Sequence, residues 1–197
     1  SGTKVLVINK KNKRALEIVI GKPSFKNRRT INSYVRLLGE NEVYETNTKL
    51  SLLLSSNVNA YRLKALYSSP KEKWEKLIYK LPSFGSYELL KKENSWYLNN
   101  QKLDSSIVEK RFQEMQNLSN IQFNNELQAS DLSQPDYELI IESENYSDTI
   151  LGFAKATNVW LTSSHNPVSV VDAKASNIFE KVFMGQNVWL NDSLKAE

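Results

Sequence analysis

The sequence predicts an α+β protein of antiparallel sheets covered by helices and built from repeated β-hairpin-plus-helix units. Three observations carry this. Short β-branched runs recur in pairs about polar turns, as in Thr3 to Ile8 and Arg14 to Ile20 around Asn9-Lys-Lys-Asn-Lys13. The residues Val108, Phe112, Met115 and Leu118 recur at four, three and three positions, the stripe of an amphipathic helix. An order of three strands followed by a capped apolar run occurs twice, from Leu16 to Leu54 and again from Tyr137 to Phe183. The expected organisation is a β-β-β-α unit over 1–70, a central hairpin-plus-helix unit over 71–118, a surface connection over 119–134 and a second copy of the first unit over 135–197.

In the first unit, Gly21-Lys-Pro23 stops the second strand, because proline has no N–H to give a ladder. The chain resumes as a strand at Tyr34-Val-Arg-Leu-Leu38, whose side chains alternate between two faces. It turns at Gly39-Glu-Asn-Glu42 and pairs again from Val43. Asn47 suits a helix N-cap ahead of Leu50, Leu53 and Leu54, and Tyr61 to Tyr67 reads as a second short helix ending before Pro70.

The middle unit opens with Trp74 to Leu81, whose apolar alternation is imperfect. Tyr87-Glu-Leu-Leu90 and Trp96-Tyr-Leu98 then bracket a polar turn as a hairpin. Asp104 or Ser105 caps the helix carrying the Val108 stripe. Ser119 to Gln134 is polar, with Ile121, Phe123 and Leu127 as anchors. The final unit reads as strands at Tyr137 to Ile141, Thr149 to Ala156, Val159 to Ser163 and Val168 to Val171. Asp172 then caps a helix through Phe183 that Gly185 stops, and Val188-Trp-Leu190 closes the fold.

Composition narrows the chemistry. Hydrophobic residues make up 40% and charged residues 24%, which is ordinary for a globular protein. There is no cysteine, so disulfides, thiolate metal sites and cysteine nucleophiles are excluded together. The single histidine, His165, lies in Ser163-Ser-His-Asn-Pro167, beside hydroxyls but without an orienting acid in sequence. One histidine and no cysteine leave a zinc site without its usual donors. Six glycines supply no phosphate-cradling loop, and the expectation is that the chain carries no cofactor, metal or catalytic set. Glu142 with Glu144, and Glu40 with Glu42, read as a solvated strand edge and a turn.

The formal charge is +4, concentrated in Lys10, Lys11, Lys13 and Arg14 and in Lys26, Arg28 and Arg29. Such runs are commonly solvated turns; as a surface they suit phosphate or anionic lipid. With Trp160 and His165, the residues Lys10, Lys11, Lys13, Arg14, Arg28 and Arg29 form the candidate binding surface. Exposed aromatics such as Trp160 or Trp189 would instead suit a glycan or lipid module. No nucleic-acid partner is expected, and such a role would show as affinity falling steeply with salt.

Three segments resemble a bacterial family catalogued as domain of unknown function 4340. They are Ser33-Tyr-Val-Arg-Leu-Leu-Gly-Glu40 with Glu42-Val-Tyr44, Phe84 to Asp104 with Trp96 between, and Ser163-Ser-His-Asn-Pro167 running to Lys181-Val-Phe-Met-Gly185. The resemblance implies a repeated α+β domain behind an N-terminal membrane anchor, facing away from the cytoplasm, with a protein partner in the cell envelope such as a gliding-motility-type ABC transporter subunit. Since Ser1-Gly2 leads straight into a strand pattern, the anchor is expected upstream. The resemblance brings no catalytic residues. Gly39, Trp96, Asn166 and Gly185 read as turn, core and helix-stop positions.

Overall fold

The structure is a computed structural model that describes residues 2–25, 31–50, 54, 57–118, 121–155 and 157–190, with the backbone alone at 176. The chain divides into two compact units, Ser1–Arg62 and Leu63–Glu197. Strands account for 45% of residues and helices for 19%. That overturns the expected α+β class: the protein is mainly antiparallel β-sheet, and its helices are too short to cover the sheets.

The N-terminal unit is one antiparallel sheet of β1 (Thr3–Ile8), β2 (Arg14–Ile20), β3 (Ser24–Phe25), β4 (Ile31–Leu37) and β5 (Tyr44–Thr46). Its path is β1-β2-β4-β3, with β5 added to β4. The β1–β2 turn is built by Asn9, whose side-chain oxygen accepts from the N–H groups of Lys11 and Lys13 at 2.9 and 3.0 Å. Asn12 takes the left-handed conformation there, which Asn tolerates better than most residues. Glycine suits the β4–β5 connection because Gly39 has φ +93.

The register divides the sheet into two faces. Val5 faces Ile18, Val7 faces Leu16, Ile18 faces Leu37, Ile20 faces Val35 and Val35 faces Tyr44, so one face is apolar from edge to edge. Lys4, Leu6, Glu17, Val19, Tyr34, Arg36 and Glu45 occupy the other. Of the apolar side chains named on this face only Ile20 is fully buried.

The C-terminal unit is a nine-stranded antiparallel sheet of β6 (Trp74–Leu81), β7 (Gly85–Lys92), β8 (Ser95–Leu98), β9 (Gln101–Lys102), β10 (Phe123–Asn124), β11 (Tyr137–Ser143), β12 (Tyr146–Lys155), β13 (Asn158–Ser163) and β14 (Asn166–Asp172). The order is β10-β14-β13-β12-β11-β6-β7-β8-β9. Two meanders thus meet where β6 pairs with β11. The imperfect alternation in β6 has a local cause. The register slips between Glu142 and Ser143, so Lys76 faces Glu142 while Trp74 faces Ser143, and the extra residue returns Trp74 to the core side.

Three helices complete the described residues: α1 (Ser105–Gln116), α2 (Ile178–Val182) and α3 (Gln186–Leu190). Only α1 has the length the sequence predicts. Asp104 caps it, accepting from Ser106 N–H at 2.7 Å, and Val108, Phe112 and Met115 are buried. Phe112 packs edge-on against Trp74, Trp96 and Trp189 at 5.0, 5.0 and 5.9 Å between ring centres. Gly152 in β12 leaves room for Phe183, since a Cβ there would lie 2.8 Å from that ring.

Other expected helices are corrected. Tyr61 to Tyr67 is irregular, and a 3-10 turn over Val58–Ala60, capped by Asn57, stands just before it. Asp172 holds a tight turn by accepting from Lys174 N–H at 2.9 Å, and the helix after it begins only at Ile178. Val188 to Leu190 is helical. The run after Asn47 falls largely outside the described residues. Local spacing did not decide these segments, because runs of five to eight residues gain too few internal hydrogen bonds to hold a helix without tertiary support.

Candidate functional site

The catalytic candidates resolve first. His165 sits half-exposed in the β13–β14 turn and makes no hydrogen bond or ion pair among the described residues. The hydroxyls beside it are committed to backbone: Ser163 Oγ accepts from Asn166 N–H at 3.1 Å and Ser164 Oγ from Thr149 N–H at 2.9 Å. Among the described residues neither hydroxyl is hydrogen-bonded to the imidazole. The described residues contain no group of three His, Asp or Glu side chains arranged to hold a metal ion.

A buried acid that sequence reasoning missed is Asp148 in β12. Its carboxylate accepts from Ser68 N–H at 2.8 Å, from Ser69 N–H at 3.4 Å, and from both serine hydroxyls. The polar pattern of Ser68-Ser69-Pro70 was the only available signal, and eighty residues of sequence separate it from its acceptor. With its oxygens occupied by a fixed strap of chain, Asp148 is an anchor.

The sheet and α1 also frame an open groove of about 490 Å3 lined by Lys71, Lys91, Trp96, Lys102 and Glu109. Lys71 is paired with Glu109, and Lys91 Nζ donates to the Glu72 carbonyl at 3.4 Å. The groove is therefore partly closed by its own charges.

The aromatic residues proposed for a ligand are largely interior. Trp189 is fully buried and its Nε1–H donates to the Tyr87 hydroxyl at 3.3 Å. Trp160 is half-buried opposite Phe153 and packs against a small cluster of Leu132, Phe153 and Val170. Core packing claims Trp189, so the expectation that it stands exposed is corrected, while Trp160 keeps part of its ring at the surface.

What remains is the N-terminal unit, where two asymmetries coincide. Seventeen large apolar side chains are exposed among the described residues, and twelve belong to this unit, which is under a third of the chain. They include Leu6, Val7, Ile8, Leu16, Leu37, Leu38, Val43 and Tyr44. These eight lie toward one end of the sheet, the end bounded by the Asn9–Lys13 turn and by the β4–β5 connection, and the Leu38 N–H donates to the Glu17 carbonyl there. Charge follows the same division. Residues 1–62 carry twelve Lys and Arg against four Glu, a formal +8; residues 63–197 carry fourteen against eighteen acids, a formal −4.

Lys10, Lys11, Lys13 and Arg14 all occupy the exposed β1–β2 turn and its exit. Arg14 pairs with Glu17 at 2.7 Å, while the three lysines form no ion pair among the described residues. Arg28 and Arg29 lie outside the described residues. The predicted surface is thus two places: the lysine turn in the N-terminal unit, and Trp160 with His165 in the C-terminal unit. Near the β4–β5 connection, Tyr44 donates to Glu42 at 2.8 Å. The Glu42 contact, then burial, then the Glu40 charge hold its phenol above the ordinary range.

Comparison of the chain with models of known families, with curated proteins and with solved structures found no match. What the fold and the surface define is an antiparallel β-protein of two units, one packed around a large core and one with an apolar sheet face largely short of full burial.

Proposed function

We propose that this chain is a non-catalytic docking domain of the bacterial cell envelope, and that its N-terminal sheet is the docking surface. One observation carries the reading: exposed apolar area and positive charge are concentrated on the same 62 residues. Monomeric surfaces rarely leave a contiguous apolar patch without a binding role. The C-terminal unit, with its fully occupied Asp148 and its aromatic core, supplies a stable body. The segments quoted above as resembling the uncharacterised family support an extracytoplasmic, membrane-tethered setting beside a gliding-motility-type ABC transporter.

The test is stability. Replacing Val7, Leu16 and Leu37 by Thr, singly and together, removes apolar surface from the face. On a docking face each change leaves unfolding free energy within about 0.5 kcal/mol. On a core face each deletion costs on the order of 1–3 kcal/mol, and that result in urea unfolding would reject the assignment.

A further inference from the structure

We infer that the lysine-bearing end of the N-terminal sheet rests on an anionic lipid surface, with β1 as the leading edge. This builds on the docking assignment and names what the surface meets. Beside the unit's formal +8, the chemistry of the end itself points to lipid.

Leu6 and Val7 project to opposite faces of β1, and both are exposed. A folded protein partner laid on one face would leave the other wet. A hydrocarbon boundary receives both, and interfacial elements embed roughly 5–10 Å into it. Side-chain type points the same way. Seven of the eight exposed residues at this end are aliphatic, Tyr44 being the exception, whereas unpaired bases are gripped by aromatic stacking. The cations beside them are mainly lysines, which protein interfaces disfavour and which anionic headgroups attract. A second copy pairing through the same patch would set lysine turn against lysine turn or apolar row against a charged rim, since isologous contacts repeat one surface.

Glu40 and Glu42 share this end of the sheet and oppose the attraction. They follow β4, two strands in from the β1 edge. At about 4.8 Å per strand this places them, with Leu37 and Leu38, about 10 Å behind the leading edge, so Leu6, Val7 and Ile8 of β1 make the first apolar contact. Lys10, Lys11 and Lys13, in the turn that closes β1, meet the headgroups first.

The experiment is flotation of the full chain with phosphatidylcholine vesicles containing 30% phosphatidylglycerol, chosen as the probe, in about 0.15 M salt, near the physiological screening regime. The chain should float with these vesicles and not with pure phosphatidylcholine. Lys10→Glu, Lys11→Glu and Lys13→Glu together should weaken binding about tenfold or more. Leu6→Thr with Val7→Thr should weaken it several-fold while leaving the charge unchanged. Absence of flotation, flotation indifferent to the apolar pair, or single-stranded RNA displacing the vesicles would each overturn the lipid assignment. Its failure is separable from that of the docking face: vesicles rejected by a chain whose Thr variants stay fully stable sink only the lipid, whereas destabilised Thr variants sink the docking face itself.

Discussion

The backbone N–H of Ser68 donates to the carboxylate of Asp148 at 2.8 Å, tying the chain just before β6 to the β12 strand. Ser69 adds a second N–H, and its own hydroxyl and carbonyl accept from Trp74 Nε1 at 3.1 Å. One carboxylate thereby fixes the entry to the large sheet and the seat of a core tryptophan. Replacing Asp148 by Ala strands buried donors, so a loss of about 3 kcal/mol is expected in urea unfolding. Asp148→Asn keeps one acceptor and should lose less. Equal stability of all three proteins would show the strap to be incidental.

Two neighbouring tyrosines should respond in opposite ways to losing their hydroxyls. Tyr79 and Tyr87 stack at 4.7 Å between ring centres. The Tyr79 hydroxyl is buried without a hydrogen-bond partner among the described residues, whereas Tyr87 donates to the Met184 carbonyl and accepts from Trp189. Tyr79→Phe removes an unsatisfied group and is expected to leave stability unchanged or raise it by up to about 1 kcal/mol. Tyr87→Phe leaves both partners unmet and should cost about 1–2 kcal/mol. Thermal melts of the pair give the sign directly.

The same burial sets an alkaline limit. Burial raises the phenols of Tyr67, Tyr79 and Tyr87 above the ordinary 10.0. An unfolded chain ionises them near pH 10 while the folded chain keeps them neutral. The folded state binds more protons, so stability is intact below pH 10 and falls as pH rises beyond it. Phenolate absorbance from these residues should therefore appear together with loss of tertiary structure. The exposed phenols among the nine tyrosines titrate first, so absorbance at 295 nm reaching the full count of nine before unfolding would contradict this.

Asp104 sets the acid counterpart at the start of α1. The Ser106 hydroxyl and then the Ser106 backbone N–H hold its carboxyl below the ordinary 3.8. Its contribution is present above the unfolded value and fades as pH falls through the lower folded one. The stability difference between the protein and its Asp104→Ala variant should accordingly shrink below about pH 4. A difference that stays constant down to pH 2 would assign the cap to something other than its charge.

The sequence was informative where structure is made by near neighbours. The Asn9–Lys13 turn, the Tyr87 to Leu98 hairpin and the Asp104-capped helix depend on residues a few positions apart, and the structure holds all three. The expected helix at Tyr61 failed, and the one expected from Asp172 is helical only from Ile178 to Val182, because short apolar spacing is shared by turns and irregular segments that lean on a sheet. The lysine turn was legible for the same reason as the hairpin. The placement of Trp189 was not, since an exposed and an interior tryptophan have the same local sequence until the sheet beneath is assembled.

Sequence by itself determined the hairpins, their turns, the one long helix and the absence of cysteine chemistry, because propensity, capping and composition act within a few residues. Tertiary structure decided that β6 joins β11, that Asp148 receives Ser68, and that the N-terminal sheet keeps apolar side chains at its surface. Those outcomes rest on pairings across tens of residues, where alternation states which side chains share a face but not which strand lies alongside.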